Sequence, residues 1–259
     1  MSARHCAQAM AYLTPTVEGK AMKRFLRIVM FTASLYVVTH IVAFSILPVG
    51  LILGALGRMS ELQRLKLGFA KTVFWIVGQK SRVSGLQHLD PQARYLIVSN
   101  YPSGYALFAL IMLFPNASFV AHEFISRIPL LGQVMRQSGT IFVNGKYPIK
   151  AYCEIDLALE RGVSSDLIIL PEGRRSPDGE VHHFKRGFVH ILRCSDLDLL
   201  PVTLNGFYKL KPANRIYLDP DTDLGVLIHD PISRGTIKEM SDTELIGAVE
   251  CTIKGQYRP

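Results

Sequence analysis

An α/β fold is predicted: a mixed sheet flanked by helices, preceded by a hydrophobic, membrane-anchoring helical segment. Three observations predict it. Short apolar runs alternate with helix-period stretches after residue 80, which is the pattern of strands interleaved with helices. An almost uncharged run occupies much of residues 25–56. Each short apolar run also ends where a polar or glycine-containing segment begins, as expected when rigid strands deliver functional loops to one edge.

Taken in order, residues 1–24 form a basic N-terminal segment, residues 25–80 a membrane-associated helical region, and residues 81–259 the α/β domain. From Phe25 to Leu56 only Arg27 carries a charge, and Ile28 to Leu47 gives twenty residues without one. That length suffices for a hydrocarbon core about 30 Å thick. Pro48-Val49-Gly50 interrupts the run, because proline lacks an N–H and glycine loosens the backbone, and two short helices meeting there are expected. Lys20, Lys23, Arg24 and Arg27 precede the run and Arg58, Arg64, Lys66 and Lys71 follow it, so both ends read as cytoplasmic. A re-entrant or monotopic hairpin satisfies both ends, whereas a single transmembrane helix does not. Between Glu61 and Gln79, Leu62, Leu65, Phe69, Val73, Phe74 and Ile76 recur at helical spacing, which fits either a core helix or an interfacial one.

Strands are predicted at Tyr95 to Ser99, Ser118 to Ala121, Thr140 to Val143, Asp166 to Leu170 and Leu200 to Leu204. Helices are predicted from Pro148 to Arg161 and from Phe188 to Cys194. Ser241-Asp242-Thr243-Glu244 is a capping-box pattern, so a last helix starts there and runs toward Ile253.

The 259 residues carry a formal charge of +8 and are 49% hydrophobic, enough for one substantial domain plus an apolar appendage. The basic balance favours anionic partners, and beside an apolar segment the anionic surface is a phospholipid leaflet, with the α/β domain on its cytoplasmic face. No basic run with interleaved aromatics supports a nucleic-acid partner. Cys6, Cys153, Cys194 and Cys251 lack metal-ligand spacing and read as reduced structural thiols, with no metal site expected.

The most specific stretch is Leu170-Pro171-Glu172-Gly173-Arg174-Arg175-Ser176, which resembles the Phe-Pro-Glu-Gly-Thr-Arg-Ser signature of glycerolipid acyltransferases. Further segments match that family in order. Val98-Ser99-Asn100-Tyr101-Pro102-Ser103 parallels its first block and keeps Asn100 and Ser103. Ile128-Pro129-Leu130-Leu131-Gly132 with Gly139-Thr140-Ile141-Phe142-Val143 resembles the second block, where the family's phosphate-holding Arg is replaced by Gly145 with Lys146 beside it. Phe184-Lys185-Arg186-Gly187 and Leu200-Pro201-Val202-Thr203-Leu204 match the later blocks. The resemblance implies transfer of an acyl group from acyl-CoA or acyl carrier protein, as co-substrate and without a cofactor, to a lysophospholipid such as 1-acylglycerol-3-phosphate in phospholipid biosynthesis.

The same resemblance exposes a loss, because the family's catalytic His and Asp positions hold Tyr101 and Ala106. A His held by a carboxylate takes the attacking hydroxyl's proton, a contribution of about 10² to 10⁴ in rate. A phenol with a reference pKa of about 10 keeps its proton at neutral pH. Substitute bases are His122, after a predicted strand, and His182 and His183, in the loop before Phe184; each also reads as a solvated surface histidine. Ser103 has no Gly-x-Ser-x-Gly elbow to make it a nucleophile. The phosphate-binding half is better kept: the resemblance places the acceptor phosphate at Glu172, Gly173, Arg174 and Arg175, with Lys185 and Lys146 adding charge and Glu172 orienting an arginine or balancing it. An alternative function is therefore a catalytically inactive relative that binds phospholipid or acyl-thioester as scaffold or regulator.

Overall fold

A computed structural model of the chain describes residues 17–78, 80–144, 148–160, 166–219 and 221–259. Helix α1 (Val17–Ala55) and helix α2 (Met59–Val77) form an antiparallel hairpin. The expected break at Pro48 does not occur; α1 runs through it. Its glycines serve contact instead of flexibility. A Cβ on Gly50 would lie 3.3 Å from Val134, and one on Gly54 would overlap the Gln137 side chain, so both glycines admit the short helix that carries those residues. The chain reverses one turn later, at Gly57 with φ +69°, where Arg58 N–H donates to Leu53 and Gly57 N–H to Gly54, a left-handed helix stop.

No helix among the described residues is long and apolar enough to cross a membrane, so the membrane-anchoring segment expected over residues 25–80 is not seen as a transmembrane helix. Both arms of the hairpin are held by the domain. Leu218 N–H donates to Thr32 Oγ1 at 3.1 Å and Tyr36 Oη to the Ile216 carbonyl at 3.2 Å, while α2 buries Leu62, Ala70, Val73, Phe74 and Val77. One face of α2 therefore packs on the core, as the first of the two readings for this segment has it, while Trp75 is left exposed. Met22, Phe25, Met30, Ile41 and Phe44 of α1 stand exposed, as does Trp75 of α2.

The remaining elements are β1 (Ser81–Ser84), β2 (Tyr95–Ser99), α3 (Tyr105–Leu113), β3 (Ser118–His122), α4 (Glu123–Ser126), α5 (Leu131–Gln137), β4 (Ile141–Val143), α6 (Pro148–Glu160) and β5 (Leu167–Ile169). They continue with α7 (Gly187–Arg193), β6 (Asp198–Asn205), α8 (Phe207–Leu210), β7 (Leu224–Ile228), α9 (Arg234–Glu239) and α10 (Asp242–Gln256). The sheet order is β1-β7-β6-β2-β5-β3-β4, parallel except for β6 against β7. A mixed sheet is thus observed as predicted. Alternation along β2 explains its position at the centre: Tyr95 and Ile97 point into a core shared with α2 and α3, and Leu96 and Val98 into a second core shared with α7 and α10. The capping box forms as read, with Ser241 Oγ accepting from Glu244 N–H and the Glu244 carboxylate from Ser241 N–H.

One lysine sits uneasily in this packing. Lys66 on α2 is mostly buried, its Nζ donating to the Ala117 carbonyl at 3.1 Å, and burial lowers its pKa to about 8. A folded pKa below the unfolded value of about 10.4 means that the buried charge penalises the fold fully below pH 8 and not at all above about pH 10.5. Lys66→Met is therefore expected to stabilise the chain at pH 7 by up to about 3 kcal/mol, with the advantage shrinking between pH 8 and 10. Denaturant titrations of both proteins across that range check it; a pH-independent difference would refute the assignment.

Candidate functional site

Because β2, β3, β4, β5 and β6 run parallel, the loops that follow them emerge at one edge of the sheet. The chain leaves β2 for β3 on one side and later places β6 on the other, so the end of β2 is a switch point of the kind where open α/β sheets bind ligands. The segments Asn100–Gly104 and Leu170–Ser176 meet there. They are joined by hydrogen bonds: Tyr101 N–H donates to Glu172 Oε1 at 2.7 Å and Ser176 N–H to the Tyr101 carbonyl at 2.9 Å.

Several residues expected at the reacting end are structural. Asn100 is buried and exchanges two hydrogen bonds with Leu204, accepting from its N–H at 2.8 Å and donating to its carbonyl at 3.1 Å, which ties β2 to β6. Ser103, also buried, donates to the Lys211 carbonyl at 2.8 Å and so is spoken for. Ala106 is fully buried within the core beneath α3. Tyr101 is half-buried, and burial pushes its phenol above the usual range while the nearby Arg175 opposes the shift. A phenol held more firmly in its neutral form is a poorer base still.

Glu172 is corrected as well. The residue is only 5% exposed, and its carboxylate is taken up by backbone N–H groups. Besides Tyr101 it receives the His182 N–H at 3.3 Å, so it clamps two loops together rather than orienting Arg174 or Arg175. Burial raises its pKa, partly offset by those two N–H groups and by His182 and Lys254.

The cations form a strip along the same edge. Gly173 adopts φ +72°, a backbone turn that favours glycine, and Lys185 Nζ reaches over it to 2.7 Å from where a Cβ would stand. Arg174, Arg175 and Lys185 are exposed. Arg175 lies near enough to act electrostatically on both Tyr101 and Lys211. Sequence reasoning missed Lys211. It is half-buried, its Nζ donates to the Pro212 and Arg215 carbonyls, and burial, Arg175 and Arg215 together lower its pKa. Nothing in its spacing signals a site; it arrives through the fold, behind Ser103. Lys146 and Gly145 lie outside the described residues.

The three candidate bases are all engaged elsewhere. His122 Nδ1 accepts the Phe124 N–H at 3.1 Å and caps α4. His182 Nε2 pairs with Asp178 at 2.9 Å, and His183 Nδ1 with Glu250 at 2.7 Å. None of these contacts is with the Tyr101 side chain. His122 and His183 do share the rim of a cavity of about 450 Å³ with Gly173 and Lys185, its interior lined by apolar residues including Val120, Ile155 and Ile169. That volume falls within the range of small-molecule sites.

Residues 80–205 match the family model described as Acyltransferase, and that span contains every segment of the strand-edge site just described up to the end of β6. Residues 80–205 are thus similar to the glycerolipid acyltransferases. A 1-acyl-sn-glycerol-3-phosphate acyltransferase of Limnanthes douglasii is 34% identical over 139 residues, covering 52% of this chain and 48% of that protein. One of Borreliella burgdorferi is 27% identical over 163 residues, covering 61% of this chain and 63% of its own. The chain spans about half the length of the curated plant relatives it matches. The crystal structure of the 1-acyl-sn-glycerophosphate acyltransferase PlsC from Thermotoga maritima shares the fold, with a TM-score of 0.73 and 24% identity over 90% of this chain and 95% of that one. Within this fold the chain presents a glycine-and-cation edge, with Tyr101 and Ala106 at the positions where the sequence resemblance expects a His and an Asp.

Proposed function

We propose that the chain binds the phosphate of a lysophospholipid such as 1-acylglycerol-3-phosphate at the strand edge and acts in acyl transfer to it from acyl-CoA or acyl carrier protein. The observation that carries this is the cation strip: Lys185 above Gly173, with Arg174 and Arg175 beside it and Lys211 behind. Forked guanidinium donors match phosphate oxygens, and the glycine lets an anion approach the backbone. In the reaction the acceptor hydroxyl attacks the thioester carbonyl, its proton passes to a base, and the thiol leaves. His182, oriented by Asp178 and anchored through its N–H to the same Glu172 that holds Tyr101, is the imidazole we assign to that role. The apolar cavity beside Lys185 suits the acyl chain. Membrane association is supported by the exposed apolar side chains of α1 and by Trp75. The cations flanking that segment orient the site to the cytoplasmic leaflet. Failure to float with anionic vesicles would sink this part.

One observation favours a second reading, a non-catalytic lipid-binding relative: no candidate imidazole contacts the Tyr101 side chain, and its phenol is held neutral. Transfer of radiolabelled acyl groups to lysophosphatidate by the detergent-solubilised protein separates the two. Arg175→Ala is expected to weaken lysophosphatidate binding about 10- to 100-fold, from the loss of charge-assisted hydrogen bonds worth about 1.5–3 kcal/mol. Turnover abolished by Arg175→Ala supports the enzyme, and binding without turnover supports the relative. Unchanged affinity at low salt would count against the phosphate site itself.

A further inference from the structure

Asp156, His190 and Cys194 form a cluster that the acyl-transfer reading leaves unused. His190 and Cys194 stand four residues apart, so they share one face at the end of α7, where Cys194 is the C-cap. Asp156 comes from α6, which packs alongside. His190 Nε2 lies 2.9 Å from Asp156 Oδ1 and 3.9 Å from Cys194 Sγ, and the three ligand atoms are all within 4.8 Å of one another. Tyr152, one turn before Asp156, stacks on the imidazole with ring centroids 4.2 Å apart and fixes its plane. All three groups are reachable from solvent: the Asp156 side chain is 43% exposed, that of His190 24%, and Cys194 is exposed.

We propose that this trio binds a thiophilic divalent cation of the Zn²⁺ class, through one Asp156 oxygen, His190 Nε2 and Cys194 Sγ, with a fourth position open to water. Bonds of about 2.0–2.3 Å at tetrahedral angles place neighbouring ligand atoms about 3.3–3.7 Å apart, between the two separations observed, so small side-chain rotations complete the site. One sulfur, one imidazole nitrogen and one oxygen suit Zn²⁺ and its soft neighbours, and do not suit Mg²⁺ or Ca²⁺. A Cys-His-Asp nucleophilic relay does not fit the same residues. Asp156 and Cys194 both address Nε2, which leaves no second ring nitrogen between them. On binding, Sγ gives its proton to solvent and bonds the metal, and His190 takes its Nδ1–H tautomer. The metal then links α6 to α7, whose first residue directly follows Lys185-Arg186 of the cation strip.

The test uses the full chain without a polyhistidine tag. Zn²⁺ is expected to bind with one equivalent per chain and to raise the Tm, and Co²⁺ to give a near-ultraviolet thiolate charge-transfer band. Cys194→Ser, a conservative change at an exposed site, should remove that band, and Cys194→Ser and His190→Ala should each lower Zn²⁺ affinity about 100-fold or more, beyond the 10- to 100-fold effect of an outer partner. Cys153→Ser should leave both readouts intact. Absence of the Co²⁺ band in the unaltered protein would overturn the site whatever the variants do, and so would Zn²⁺ affinity unchanged in Cys194→Ser.

Discussion

Tyr101→His combined with Ala106→Asp is expected to raise acyl transfer to lysophosphatidate by about 10² to 10⁴-fold, the contribution of a positioned general base. The backbone for it is in place. Tyr101 is pinned through its N–H by Glu172 and through its carbonyl by Ser176, so an imidazole there would start from a fixed Cα. Residue 106 lies in the first turn of α3, where the helix dipole favours a carboxylate, but it is fully buried in this chain. Ala106→Asp alone therefore buries an unpaired charge and should destabilise by about 3–5 kcal/mol, whereas in the double variant the new imidazole receives it. Stability and turnover of both single variants and the pair form a cycle whose non-additivity reports the His–Asp contact. A folded double variant without gain would mean that the edge has been remodelled for binding, which favours the non-catalytic relative.

The central strands were legible because burial on both faces makes them continuous apolar runs; Tyr95–Ser99 matches its prediction to the residue. The edge strand β1 was not, since Arg82, Val83 and Ser84 are exposed and no pattern marks Ser81–Ser84. Helix α3 was missed for the opposite reason: Tyr-Ala-Leu-Phe-Ala-Leu-Ile-Met-Leu is apolar all round, so no polar face reveals its period. At the site, the resemblance located the phosphate edge but not the direction of its side chains. Glu172 read as orienting an arginine or balancing its charge and instead accepts the Tyr101 and His182 N–H groups, and Asn100 and Ser103 read as parts of the reacting block and instead bind Leu204 and Lys211. Lys211, and the meeting of Asp156 with His190 and Cys194, depend on which loops and helices lie side by side, which one-dimensional spacing does not contain.

Removing the Glu172 carboxylate should have the largest effect on the fold of the site. Glu172→Ala leaves the N–H groups of Tyr101 and His182 without their acceptor in a buried position, at about 1–3 kcal/mol each. Relief of a carboxylate already penalised by burial offsets part of this, so a net loss of about 2–5 kcal/mol is expected, or about 5–15 °C in Tm. Glu172→Gln separates hydrogen bonding from shape. Its amide oxygen can accept one of the two N–H groups, while its NH₂ meets the other as donor against donor, so its loss should fall between wild type and Ala. The pH dependence has a definite sign. Because the folded pKa is raised, the native chain binds this proton more readily, and its stability relative to Glu172→Gln should rise as pH falls through the folded pKa toward about 4.3. Since Glu172 holds the Tyr101 loop against the loop that carries His182, Glu172→Ala should also weaken lysophosphatidate binding although its carboxylate is taken up by backbone N–H groups. An unchanged Tm with binding lost would show that Glu172 meets the ligand directly, and an unchanged Tm with binding kept would remove it from the site altogether.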